Sequence, residues 1–462
     1  MMGKVDGQGS MIQMVSLEGL VPQEHFLRKL NAVLDLGFVP KLLQPAYPSN
    51  LGHPGVDPVL AVRMILLSYL YDLSDGRVCE EVHLHAGYRW FCGLDFHRVV
   101  PDRTTLVKFR GRCRKHGLWE DLFHRVVAQC RDVGLLSGRH LVVDSTQVQA
   151  NASIKSLREI QADLIASADQ LCTEDQLTEK PDNDDHHQTD FHGKRFSNKT
   201  HRSSTDPDAQ FYRKGKGKEA KLSFKVHNLA DTKSRVIVAT SATRISGNAA
   251  RDGSQAEALL DRLHETEGIV PQTLCGDTGY GDAKTITGVV ARGVNPHIPL
   301  LAEKPPALPV WKRRTRNLEH LRKRHEKLAQ AKALYAAWEL SQTRGYQISR
   351  KLRHRIEHLF GEAKLSHGLG RARYRGLAKM NEQATLTAIA QNLKRLVKFL
   401  NKPNRRQPNN GAVPIKSPFF RPFSKFLQLQ PLTKAFFHLF PGLRRHRVNQ
   451  PAPENCYWSH AF

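Results

Sequence analysis

Long apolar runs, paired cysteines and acidic side chains are all in short supply in this sequence. No uninterrupted apolar stretch approaches the length of a bilayer span, which argues against membrane residence. The start, Met1-Met-Gly-Lys-Val-Asp-Gly-Gln, has no apolar signal-peptide core, so a cytoplasmic protein is expected. The seven cysteines (Cys79, Cys92, Cys113, Cys130, Cys172, Cys275, Cys456) are scattered, odd in number and without a Cys-x-x-Cys pair. They read as reduced, mostly buried thiols, not disulfides or zinc ligands. Acids number 44 against 70 Lys and Arg, a formal net charge of +26. That balance is unusual for a metabolic enzyme and points to a polyanionic partner, nucleic acid first and an anionic membrane surface second.

At 462 residues the chain has room for two or three domains. Residues 1–20 read as a lead-in and 21–135 as an all-helical unit. Asp57-Pro58 and Ser74 are helix starts, and Asp102 opens a basic helix stopped by Gly117. That helix carries Arg103, Lys108, Arg110, Arg112, Arg114 and Lys115, a composition suited to lying on DNA phosphates, though a solvated basic helix has it too. From 136 to 400 strands and helices mix. His140–Asp144 is a short apolar strand ending in an acid, followed by a helix over 154–173 and a flexible polar insertion over 174–220. A hairpin follows at 221–241, then a helix at 255–267 and a strand at 273–276 running into Asp277. A last strand is expected at 296–301. Residues 304–346 form a basic helical insertion with Lys312 and Arg313 as candidate DNA contacts, and 381–400 a final amphipathic helix. The tail, 401–462, is basic and aromatic-containing, with little regular structure expected.

The chemistry concentrates in residues 350–364. Read as one helix, they place Arg350, Arg353, Glu357, Gly361 and Lys364 along one side, with Leu352, Ile356, Leu359, Phe360 and Ala363 on a core-facing side. Alone, this is an ordinary charged surface helix. Asp144 and Asp277 change the weighing, because each is an acid where an apolar strand leaves a sheet, and function collects at strand ends. Each aspartate alone reads as a cap or turn residue. Three carboxylates brought together repel one another unless a cation holds them. Magnesium or manganese suits such oxygen ligands, and two ions about 3.5–4 Å apart can drive phosphodiester chemistry.

These residues resemble the DDE transposases of bacterial insertion sequences. Within them, Arg353-x3-Glu357-x6-Lys364 matches the spacing of the YREK-signature group. Val143-Asp-Ser-Thr and Gly276-Asp-Thr-Gly-Tyr fit the first and second family aspartates. Ser204-Thr-Asp-Pro-Asp-Ala209, Lys225-Val-His, Pro101-Asp-Arg-Thr-Thr and Phe109-Arg110 are also similar, so the likeness spans roughly residues 20–400. It implies an α/β, ribonuclease H-like mixed sheet flanked by helices, with the catalytic glutamate on a helix after an insertion. Asp144, Asp277 and Glu357 would be catalytic and hold two Mg2+ ions (or Mn2+), with Arg353 and Lys364 on the transposon end. The expected partners are terminal-repeat and target DNA, bound by a homodimer, and a nucleoid location when on DNA. Trp311 and Trp338 lie in the insertion where relatives keep a base-stacking aromatic; a core tryptophan on a helix is the commoner reading of either. The signature tyrosine is replaced by Arg350, which touches terminal-nucleotide positioning but not the carboxylates. The rival readings are a catalytically inactive, transposase-derived DNA-binding protein and a general metal-dependent nuclease.

Overall fold

A computed structural model of the chain describes residues 15–47, 55–160, 197–213, 219–246, 251–302, 304–305, 307–311 and 316–402. The expected tail, the Lys312-Arg313 pair and most of the 154–173 and 174–220 segments lie outside them.

Local chemistry sets the helices of the N-terminal part. After the short α1 (Leu17–Leu20), α2 (Phe26–Val33) and α3 (Val39–Leu43), the Asp57 carboxylate caps α4 (Pro58–Leu70) by accepting from Val59 N at 2.7 Å, with Pro58 at the first helical position. Ser74 caps α5 (Asp75–Leu84), and α6 (Ala86–Phe91) follows directly. Asp102 caps α7 (Arg103–Lys115), which the left-handed Gly117 separates from α8 (Leu118–Asp132). Most of α4 is buried, as its all-round apolar sequence requires.

Among the described residues, six strands form one sheet. β1 (His140–Gln149) pairs antiparallel with β5 (Lys221–Asp231), and β5 pairs antiparallel with β6 (Ile237–Thr243). On its other side β1 runs parallel to β7 (Thr273–Cys275), which runs parallel to β8 (Asn295–His297). β2 (Leu157–Glu159) and β3 (His201–Ser203) form a separate ribbon, while β4 (Gln210–Tyr212) extends the β5 edge. The β5–β6 turn is closed by Asp231, whose Oδ1 accepts from Lys233 N and Ser234 N at 2.9 and 2.7 Å. Helices α9 (Asp252–Glu267), α10 (Ala283–Ala291) and α11 (Leu318–Ser341) follow the strands in turn. Then come α12 (Arg344–Arg353), α13 (Arg355–Ser366) and α14 (Leu377–Leu400). This mixed sheet with flanking helices is the expected ribonuclease H-like arrangement.

α14 is the internal support. It packs against α8, α4, α2 and β6, and it buries Thr385, Thr387, Gln383, Gln391 and Asn392 beside its leucines. The polar side chains replace a missing strand. Asn392 accepts from Ile237 N at 2.9 Å and donates to Ile237 O at 2.8 Å, and Asn381 accepts from Ala242 N at 2.6 Å. The outer edge of β6 therefore meets a helix instead of water. One apolar core runs from Leu27 and Ile65 through Val127 to Val143, Ile237 and Leu393, and the chain up to Lys402 forms one compact unit.

Several expectations need correction. β1 does not end at Asp144 but continues to Gln149, held along its whole length by β5. Residues 154–160 are a 3-10 turn and a strand, not the start of a helix. Within 197–213, expected to be flexible, β3 and β4 pair in sheets. Residues 350–364 are two helices broken at His354. Arg110 is not a DNA contact: only 4% exposed, it donates to Asp75 Oδ1 at 2.8 Å and Glu382 Oε1 at 3.2 Å. Truncating it removes the ion pair of buried Asp75, while Glu382 keeps Arg114 at 2.7 Å; breaking a buried pair costs about 3–5 kcal/mol. Urea unfolding of Arg110→Ala should show that loss; a change under about 1 kcal/mol would contradict the assignment.

Candidate active site

Asp144 lies in the middle of the strand on which the sheet is centred, opposite Asn228 of β5. On the β7 side the pairing stops at Val142 opposite Cys275. The chain leaving β7 carries Asp277 in its second residue, so continuing the register sets the two aspartates side by side. The loop after Asp277 is tightly built. Asp277 Oδ1 accepts from Gly279 N at 2.9 Å, and Gly281 lies so close to the next layer that a Cβ there would sit 2.1 Å from Pro299 O. Any side chain at 281 would displace the loop.

A third acid joins them that sequence reasoning missed. Asp252, in the first turn of α9, accepts from Ser145 Oγ at 3.0 Å and from Lys225 Nζ at 2.7 Å. His227 Nδ1 stands 3.5 Å from the same carboxylate. A Cβ placed at Gly279 would have both an Asp277 and an Asp252 oxygen within 4 Å. The one available signal was Lys225-Val-His, whose ends both face Asp252.

The electrostatics tie the acids together. Burial pushes the Asp144 carboxyl up to about 6; the Ser145 N–H, donating at 2.7 Å, and Arg353 act against that, while Asp277 and Asp252 add to it. Tyr280, buried beneath, is held far above the usual phenol range by burial and then by Asp252, Asp144 and Asp277. His227 is held down to about 4, first by burial.

Glu357 comes in from α13, which packs on β1 and buries Ile356, Leu359 and Phe360. Its own side chain is 59% exposed and pairs with Arg353 Nη2 at 3.5 Å across the His354 break. Arg353 thus acts on Asp144 and Glu357 together. Among the described residues no three His, Cys, Asp or Glu side chains are grouped closely enough to hold a metal ion. Asp144 and Asp277 are therefore assembled, and Glu357 is on the adjoining helix but turned to solvent. The residues that could bind a divalent cation are the oxygen donors Asp144 and Asp277, the Asp144 carboxyl being driven toward protonation first by burial and then by its acidic neighbours.

Of the other expected contacts, Arg350 and Lys364 are exposed on α12 and α13. Trp311 is 36% exposed with the Arg324 guanidinium 5.5 Å from its ring, and Trp338 packs on Tyr335 with ring centres 5.8 Å apart.

Residues 136–393 match the family described as Transposase DDE domain, more than half of the chain. The chain belongs to the DDE transposase family. Residues 15–112 match a second family described as Transposase domain, which covers α1 to most of α7. No solved structure matches the chain. The DDE match contains β1, which carries Asp144, the loop after β7, which carries Asp277, and α13, which carries Glu357.

A transposase site charged in this way has a stability signature. With its folded carboxyl near 6 and its unfolded value near 3.8, Asp144 favours the folded state below about pH 3.8. That contribution is lost as pH rises through 6. Asp144→Asn should therefore raise the stability of chelator-treated protein at pH 7–8 by roughly 1–3 kcal/mol, with the gain shrinking below pH 6. A pH-independent or destabilising effect would count against a buried, cation-seeking carboxylate.

Proposed function

We propose that the protein cleaves DNA at the ends of its own mobile element and joins the freed 3′-hydroxyl to target DNA. The observation that carries this reading is the β1–β7 register, which continued sets Asp277 beside Asp144, next to the helix of Glu357. Asp144, Asp277 and Glu357 would hold divalent cations, two Mg2+ or Mn2+ ions by family resemblance. Such ions, once bound, activate an attacking oxygen and stabilise a leaving one at phosphorus.

The chain's own residues then have separable tasks. β1 and the Asp277 loop hold two carboxylates in fixed positions. Glu357 must leave Arg353, a side-chain rotation that its exposure permits, to complete the set. Arg353, once released, and the exposed Arg350 and Lys364 would meet phosphates of the element end. Water serves as the first nucleophile and the DNA hydroxyl as the second, each in line with the departing oxygen. Two element ends must be held together, so the working form is a homodimer on DNA. The helical region up to residue 135 contributes to DNA binding through surface bases other than Arg110.

Asp144→Ala, Asp277→Ala and Glu357→Ala should each lower Mg2+-dependent cleavage of an end-containing duplex by about a thousandfold or more, some 4 kcal/mol in barrier, while DNA binding persists. A chelator should abolish cleavage by the unaltered protein, and added Mg2+ or Mn2+ restore it. Cleavage that survives the substitutions would remove the carboxylates from the mechanism. Binding with no cleavage in either metal would mark an inactive DNA-binding protein. Nicked DNA never joined to a second molecule would mark a nuclease.

A further inference from the structure

Downstream of Asp144, β1 runs into a feature that the catalytic chemistry does not use. Gln149, at its end, takes the 370–372 loop as an added parallel bridge: Gln149 N donates to Gly370 O at 3.2 Å and Ala372 N to Gln149 O at 2.7 Å. Over this seam lie two cavities of about 630 and 570 Å3. Asn151 and Arg371 line both, so the two cavities adjoin there in a groove. Its described walls carry six basic side chains, Lys155, Lys221, Arg371, Arg373, Arg375 and Lys364, against two acids, Glu219 and Asp72. Each acid is already matched, Glu219 to Lys221 at 3.3 Å and Asp72 to Arg373 at 2.8 Å. A net excess of four positive charges lines a groove whose floor is backbone-bonded.

We infer that this groove binds the sugar–phosphate backbone of DNA running away from the reacting phosphodiester. The inference rests on the transposase reading and extends it to a site made of Lys155, Arg371 and Arg375 together with Lys364. The geometry sets the reach. Gln149 is five strand residues, about 16 Å, beyond Asp144, and Lys364 is two helical turns, about 10 Å, beyond Glu357. At about 3.4 Å per base pair, the groove meets the duplex roughly three to five base pairs from the cleaved bond. Its bases contact phosphates, so it contributes affinity and register without reading sequence. The DNA in it is either the element's own end or the flanking donor DNA, which share this backbone chemistry.

The test uses the full chain and end duplexes of three kinds: extended on both sides of the cleavage position, trimmed to two base pairs on the element side, or trimmed likewise on the flank. Affinity is measured against salt for the unaltered protein and for Lys155→Glu/Arg371→Glu, both positions being exposed. The double variant should bind the extended duplex about tenfold or more weakly, with the salt slope reduced by about one for each phosphate no longer neutralised. That penalty should vanish on whichever trimmed duplex no longer enters the groove, which identifies the side. The Lys155→Gln/Arg371→Gln pair should shift in the same direction by less, and unchanged thermal melting of both variants confirms folding. If the unaltered protein cleaves the end duplex but the variants keep its affinity and salt slope on all three, the groove is not a DNA site and the transposase reading stands. If the unaltered protein binds no end duplex, both are overturned.

Discussion

The structure depends on placing a carboxylate in the middle of a half-buried strand. Asp144 is hemmed by β5 on one side and by the end of β7 on the other, and its charge is opposed by burial and by two further aspartates. Such a group is costly to keep ionised without a partner. The surroundings offer Arg353 as a protein cation, and Lys225 for Asp252. What they leave is a pair of aspartates side by side on the interior strand of the sheet and the loop beside it, with Asp252 close by.

Rigidity around that point comes from elements far from it. α14 satisfies the outer edge of β6 through Asn381 and Asn392, β6 holds β5, and β5 fixes β1 over nine paired residues. The buried Arg110–Asp75–Glu382 group then ties α5 and α7 of the helical region to that same α14. The N-terminal helices and the strand carrying Asp144 are therefore joined through one packed helix.

Features decided by neighbouring residues were legible in the sequence. Asp57-Pro58, Ser74, Asp102 and Gly117 mark helix ends by local hydrogen bonding and backbone preference, and the β5–β6 hairpin shows in its alternation around an Asp turn. Features decided by distant partners were not. Arg110 looks like a phosphate contact because the acids that neutralise it stand 35 and 272 positions away. The polar second half of β1 reads as loop, since only its pairing with β5 keeps it extended. Asp252 sits at a helix start, the most ordinary place for an aspartate, and only the fold brings Ser145 and Lys225 to it. Asp144 and Asp277 were singled out as acids following apolar runs and Glu357 by family spacing, but the outward turn of Glu357 toward Arg353 is a side-chain choice that no spacing encodes.

The account turns on whether these carboxylates share a cation when DNA is present. Anomalous diffraction at the manganese edge, from crystals of the full chain with Mn2+ and an element-end duplex, measures that directly. Metal density between Asp144 and Asp277, with the Glu357 carboxylate turned from Arg353 toward it, is the result the account predicts. DNA bound with no metal at the two aspartates, or metal bound there while Glu357 stays paired with Arg353, would contradict it.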